Sequence, residues 1–180
     1  GVFIVPPAMR WITDAMATVA SETFTSTSAP IQYAAVAAFQ ENPEIDSYVD
    51  KCRRVLAALA ADVYDQLKKT EVDVLPAQGG FYIFPDFSSY REKLEKKNIH
   101  TSSELCDTLL AETGVAILPG SDFGREPTEL NARLAYVDFN GEEALQNFPD
   151  DGVLDHKYLK KYCSRTVEAI GKITAWLNAL

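Results

Sequence analysis

The sequence predicts a mixed α/β chain. Its larger, second part is α+β: a small sheet with helices packed on it, led by a long connecting helix and preceded by a remnant of a larger parallel-sheet domain. Three observations predict this. Val2 to Val5 is a continuous apolar run with no cap before it, the habit of a strand buried on both faces, as in parallel sheets. A helix opening at Asn42-Pro43-Glu44 runs to about Lys69, which at 1.5 Å per residue would reach roughly 40 Å. That is long for one compact domain and suits a link between two. Behind it the pattern reads strand pair, helix, strand, strand, long helix, an α+β order. The first run could instead be a short strand that pairs with the later sheet.

Pro6 and Pro7 end the first strand, and Pro7 suits a first helical turn. Met9, Ile12, Met16 and Val19 recur at helical spacing and predict a helix to about Ala20. Ser21 to Pro30 is rich in hydroxyls and aperiodic, a loop. Such residues either cap turns or bind phosphate at a helix start. A short Ala-rich helix is expected from Ile31 to about Gln40. In the long helix the apolar stripe is Tyr48, Cys52, Val55, Leu56, Leu59, Val63 and Leu67. Val72 to Pro76 and Phe81 to Phe84 read as an antiparallel pair turned by Ala77-Gln78-Gly79-Gly80. Arg91 to Lys97 is a solvated helix or loop face. Thr101-Ser102-Ser103-Glu104 is a capping box, and its helix should end at Gly114. Gly141 to Phe148 is a weak helix, Asp150-Asp151-Gly152 a turn, and Asp155 caps the last long helix.

The stretch with most chemical content is Val115 to Val137: VAILPGSDFG, a polar break, then NARLAYV. Side chains alternate along a strand. Arg133 therefore shares a face with Ala135 and Val137, and Leu134 and Tyr136 share the other. Both faces look partly apolar, so the arginine is expected at the edge of a covered space. Its charge persists there and calls for an anion, best met by a two-pronged carboxylate. That carboxylate is either an internal Asp or Glu or a bound ligand; strand chemistry alone leans to the internal pair.

The 180 residues are enough for one domain or one domain with an appendage, and 47 % are hydrophobic, so a core can form. The net charge of −9 and pI of about 4.7 argue against nucleic acid or an anionic membrane as main partner. No apolar run is long enough to span a bilayer and no signal peptide is visible. Cys52, Cys106 and Cys163 fall in helical patterns without close spacing, which predicts free thiols in a reducing compartment, the cytoplasm. His100 and His156 are far apart, and no metal site is predicted.

In order, the pieces GVFIVPP, the loop TSTSAPIQ, the long helix, QGGFYIF, GVAILPGSDFG and ARLAY resemble the C-terminal part of class I/II aminotransferases, pyridoxal-phosphate enzymes of fold type I. LPGSDFG followed by ARLAY is the more specific signal. The resemblance implies a large-domain remnant over residues 1–42 and a small C-terminal domain over 43–180. It implies that Arg133 grips the substrate α-carboxylate, reversing the lean toward an internal pair, and that Phe81 lies near substrate. Residues 25–28 would lie near a dimer interface. The implied parent moves an amino group between an amino acid and a 2-oxo acid and is a homodimer. The lysine that holds pyridoxal 5′-phosphate, the phosphate-binding arginine and the aspartate facing the pyridine nitrogen would all precede this sequence, so no catalytic residue is assigned here. The chain is expected to be inactive alone. The segment between Phe139 and Asp155 departs from the family pattern. Alternatives are another fold-type I enzyme (lyase, decarboxylase or synthase) or a non-catalytic α+β binding module.

Overall fold

The computed structural model describes residues 2–180. By internal packing the chain divides into two units, Gly1–Ser47 and Tyr48–Leu180.

In the first unit, Val2 to Val5 is extended but forms no strand, and Phe3 and Ile4 are exposed. This corrects the expected buried strand: a strand needs at least one hydrogen-bonded neighbour, and none pairs with it among the described residues. A 3-10 turn at Pro7–Met9 leads into α1 (Arg10–Thr23), three residues longer than its periodicity suggested. The extra turn is helped by Thr23, whose hydroxyl donates to the Val19 carbonyl at 2.8 Å. The hydroxyl-rich loop is correspondingly shorter. Thr25 takes a left-handed φ of 65° there, and α2 (Ala29–Ala38) follows with Pro30 in its first turn. Neither α1 nor α2 buries a residue.

Helix α3 (Pro43–Leu67) has 25 residues, about 37 Å at the α-helical rise. The Asn42 side chain accepts from the Glu44 amide at 2.9 Å, and Glu44 and Asp46 bring negative charge to the positive helix end. Its stripe is buried at Val55, Leu59, Ala60, Val63 and Leu67, whereas Tyr48 at the head of the stripe is exposed.

The second unit is built on a three-stranded sheet of order β1-β3-β2, with β1 (Tyr82–Ile83), β2 (Leu118–Pro119) and β3 (Ala132–Ala135). Both pairings are antiparallel: Tyr82 faces Ala135, Ile83 faces Leu134, and Leu118 faces Arg133. The expected pairing of Val72–Pro76 with Phe81–Phe84 is reduced to one bridge, Asp73 with Asp86. β1 takes β3 as its partner instead, because that pairing lets Ile83 and Leu134 enter the core together.

A short helix, α4 (Arg91–Glu95), precedes α5 (Ser102–Thr113). The Thr101–Glu104 capping box opens α5, and Gly114 closes it at φ 74°. Beyond the sheet come α6 (Gly141–Gln146), capped by Asn140, and α7 (His156–Tyr162), capped by Asp155. The last helix is not continuous: the chain breaks at Cys163, and α8 (Ser164–Asn178) continues. The core joins α3, α5, α7 and α8 to one face of the sheet, with Leu59, Val63, Leu105, Leu109, Ile173 and Leu177 at its centre. Among the described residues no helix is long and apolar enough to cross a membrane.

Candidate functional site

The two faces of the sheet differ. Ala132, Leu134 and Tyr136 on β3 and Ile83 on β1 are buried against the helices. The alternating positions point the other way. Arg133 and Ala135 on β3, Tyr82 on β1 and Leu118 on β2 share the second face, and one further step of the register puts Phe84 opposite Arg133. No element of the second unit covers this face: Tyr82, Phe84 and Leu118 are each 40 to 44 % exposed, and Arg133 is half-buried. Both faces were expected to be partly apolar with the arginine at the edge of a covered space; both faces do carry apolar side chains, one as core and the other open, and Arg133 is half-buried.

Arg133 holds the middle of the open face. Its guanidinium carbon lies 4.3 Å from the ring centre of Tyr82 and 4.3 Å from that of Phe123. Tyr82 comes from β1, and Phe123 from the 3-10 turn Gly120–Phe123 that follows β2. β1 and β2 flank β3 on opposite sides, so the two rings are delivered by elements on either side of the arginine's strand. Each ring is backed by a neighbour: Phe81 lies 4.4 Å from Tyr82, and Phe84 lies 6.2 Å from Phe123, edge-on.

Among the described residues no carboxylate lies within the 4.0 Å ion-pair distance of Arg133. The internal ion pair that strand chemistry favoured is thus not formed. Arg125, close by in sequence, pairs with Glu129, and Arg91 donates to the Thr128 carbonyl. Arg133 keeps an uncommitted donor edge with two rings close beside it, and a planar guanidinium edge accepts a two-oxygen anion.

Local backbone fixes the Phe123 side. The Gly120 amide donates to the Asn131 carbonyl at 2.9 Å. A Cβ on Gly120 would stand 1.7 Å from Asn131 Oδ1, so only glycine lets the turn pass this close. Gly124 closes the turn at φ 77°. On the Tyr82 side, Gly80 sits at φ 67°, and its carbonyl accepts from the buried Tyr136 hydroxyl at 3.2 Å. Burial pushes the Tyr136 phenol above its ordinary pKa, so it stays a donor.

Phe81 follows this turn, but its ring packs on Tyr82 and makes no cation contact with Arg133. The rings on the guanidinium, Tyr82 and Phe123, were not singled out from sequence. Alternation alone could have found Tyr82, two residues from Phe84 and so on the face that Arg133 shares. Phe123 carried no such signal, because a 3-10 turn has no fixed register with the sheet.

The sequence profile described as aminotransferase class I and II matches residues 1–139. The chain belongs to the class I and II aminotransferase family. A probable aspartate/prephenate aminotransferase of Aquifex aeolicus is 34 % identical over 110 residues, 61 % of this chain and 26 % of that protein. An aspartate aminotransferase of a Bacillus species is 33 % identical over 127 residues, 70 % of this chain and 30 % of its own length. A valine–pyruvate aminotransferase of Mycobacterium tuberculosis is 34 % identical over 118 residues. The crystal structure of an aromatic aminotransferase from Pyrococcus horikoshii superposes with a TM-score of 0.68 at 22 % identity, over 94 % of this chain and 36 % of that one. The aligned part of this chain thus spans about a quarter to a third of the length of these curated relatives. The likeness in structure bears out the fold class, a PLP-dependent transferase-like α/β piece.

The family implies pyridoxal 5′-phosphate, a cofactor that needs an amine for its aldehyde. The open face offers none: its side chains are Tyr82, Phe84, Leu118, Arg133 and Ala135. A guanidinium stays protonated and does not form an imine. Its free edge suits a carboxylate rather than the cofactor's carbonyl. Residues 25–28 belong to the first unit, where the Thr27 carbonyl accepts from Gln32 Nε2.

Proposed function

We propose that this chain is the substrate-gripping part of an aminotransferase that moves an amino group between an amino acid and a 2-oxo acid. The supporting observation is Arg133: a half-buried guanidinium with two rings each 4.3 Å away, no internal carboxylate, and no protein hydrogen-bond partner among the described residues, on an otherwise apolar open face. An α-carboxylate docked on that edge receives two parallel N–H···O bonds, each worth about 1.5–3 kcal/mol less the part lost to solvent. Two bonds in one plane fix the carboxylate's direction and therefore the orientation of the adjoining Cα–H bond. The apolar rings around the pair keep water from its flanks and strengthen the attraction. Pyridoxal 5′-phosphate, when bound, supplies the electron sink for the chemistry at Cα; on this reading its anchoring groups lie in the part of the longer relatives that this chain does not span.

In this proposal residues 1–42 are the end of a large cofactor-binding domain and 43–180 the small domain, Phe81 buttresses the grip through Tyr82, and the whole protein is a cytoplasmic homodimer. Three free cysteines agree with a reducing compartment. The aspartate/prephenate and valine–pyruvate names of the relatives differ in substrate, so the shared reading is amino-group transfer, not a particular amino acid.

The test is Arg133→Ala in the full-length protein, assayed with several amino donors and pyridoxal phosphate. The expected result is a KM raised by about 10- to 100-fold, the loss of one charge-assisted bond or more. Unchanged kinetics would remove Arg133 from the site. Carbon dioxide or ammonia released in place of an amino-acid product would assign a related fold-type I chemistry instead.

A further inference from the structure

A guanidinium has two flat faces and an edge, and all its N–H bonds lie in the plane. Rings on the faces leave every donor free, yet fix the plane in which the donors point. We infer that Tyr82 and Phe123 are positioning residues that clamp Arg133 so that its donor edge is held ready for the substrate carboxylate. This rests on the reading of Arg133 given above and extends it to two residues with no role in that reading.

Four observations carry the inference. Both ring centres lie 4.3 Å from the guanidinium carbon, within the range at which the ring quadrupole attracts a cation. The rings come from two separate elements, β1 and the turn after β2, so two independent parts of the backbone bring an aromatic ring to the arginine. Each ring has its own aromatic buttress, Phe81 for Tyr82 and Phe84 for Phe123. The Tyr82 hydroxyl bonds to no protein group among the described residues, so what Tyr82 contributes is its ring. An arginine loose on an open face would have to surrender its rotamer freedom at each binding event; one already clamped does not. A lysine at this position would gain little from the rings, because an ammonium has no plane to fix.

The experiment is a mutant cycle on the full-length holoenzyme, read as KM against kcat for an amino-acid donor. Tyr82→Leu and Phe123→Leu keep apolar bulk and remove the ring. Each is expected to raise KM by roughly 2- to 30-fold, the span of one cation–π contact, with kcat moving much less. Tyr82→Phe should recover most of the loss. In an Arg133→Lys background the two Leu changes should cost clearly less, since an ammonium keeps some attraction to the rings but has no plane left to hold.

Leu changes that cost as much in the Arg133→Lys background as in the wild type would overturn the clamp, because the rings would then act on substrate directly. So would Leu changes without effect while Arg133→Lys alone raises KM. If Arg133→Lys itself leaves KM untouched, it is the carboxylate grip that fails. Should the Leu variants not fold, the unaltered full-length protein decides by NMR. The Arg133 Nε–Hε signal must lie upfield of an exposed arginine such as Arg53, shifted by both ring currents, and a signal at the exposed position would refute the clamp.

Discussion

Leu134 and Arg133 are neighbours on one strand, yet they belong to different economies of the molecule. Leu134 looks into the core with Ile83, Tyr136 and Ala132, all buried. Arg133 looks outward with Tyr82, Phe84 and Leu118, none of them buried. The inner face accounts for folding: its side chains meet α5 and α8 and give the sheet a reason to exist. The outer face adds little to that. Apolar side chains and a charged group left together on an open sheet face are poor for solubility and are a mark of binding surface. The contrast separates the side chains that hold the chain together from those left free for the proposed grip.

The comparison breaks first, and by the largest margin, with paired deletions. Leu134→Ala empties a buried site and is expected to cost about 2–5 kcal/mol of folding stability. Arg133→Ala, one residue away, should stay within about 1 kcal/mol, since it forfeits only contacts at a half-open surface. Urea unfolding of the two variants checks this. Equal losses would mean that Arg133 is structural and the outer face is part of the fold.

Gly120 joins the two faces, and Gly120→Ala comes next in size. The new methyl would collide with the side chain of Asn131, which is itself buried and held by a 2.9 Å bond from Nδ2 to Glu129. Overpacking of this kind costs about 1–3 kcal/mol. Its second effect is the sharper one: the turn that carries Phe123 must move, so the Arg133 ring-current signal should shift even where the protein stays folded.

Much of the inner face could be read from sequence. The α3 stripe from Val55 to Leu67, the Thr101–Glu104 box and the Gly114 cap follow local rules that need no tertiary partner, and each stands as expected. The strand at Val2–Val5 and the pairing of Val72–Pro76 did not, because strand identity depends on who lies alongside, and that is settled by distant residues. The continuous last helix failed at Cys163, where periodicity runs on across α7 and α8 and cannot register a one-residue break. On the outer face Arg133 was legible because a cation among apolar neighbours is unusual. Its clamp was not, since one ring comes from a strand and the other from a turn.

A smaller effect appears only in alkali and belongs to the inner side alone. Burial pushes the Cys106 thiol up to about 12 and the Cys163 thiol up to about 11 from an ordinary 9.0, and the Tyr158 phenol up to about 12 from 10.0. A folded pKa above the unfolded one means that the unfolded state loses its proton first. The stability these groups provide is therefore complete below about pH 9 and is lost as pH rises through 11 to 12. The urea midpoint should hold steady from neutrality to about pH 9 and then fall. A midpoint that stays level to pH 11 would show that the thiols are not enclosed as the structure has them.

The smallest expected effect tests whether the inner face also shapes the outer one. Tyr136 is buried, but its hydroxyl reaches the Gly80 carbonyl at 3.2 Å, in the turn that delivers Tyr82 to the open face. Tyr136→Phe removes one neutral hydrogen bond and should cost about 0.5–1.5 kcal/mol. The carbonyl it leaves can turn to water, because Gly80 is exposed, which puts the loss at the lower end. If the bond only stabilises, carboxylate KM in the full-length protein will not change. If it also sets the height of the Gly79–Gly80 turn, Tyr82 will sit less squarely on Arg133, and KM should rise about twofold while the stability loss stays near 1 kcal/mol. That rise in KM, beside so small a loss of stability, would show that the core side of the sheet is tuned for the grip on its other face.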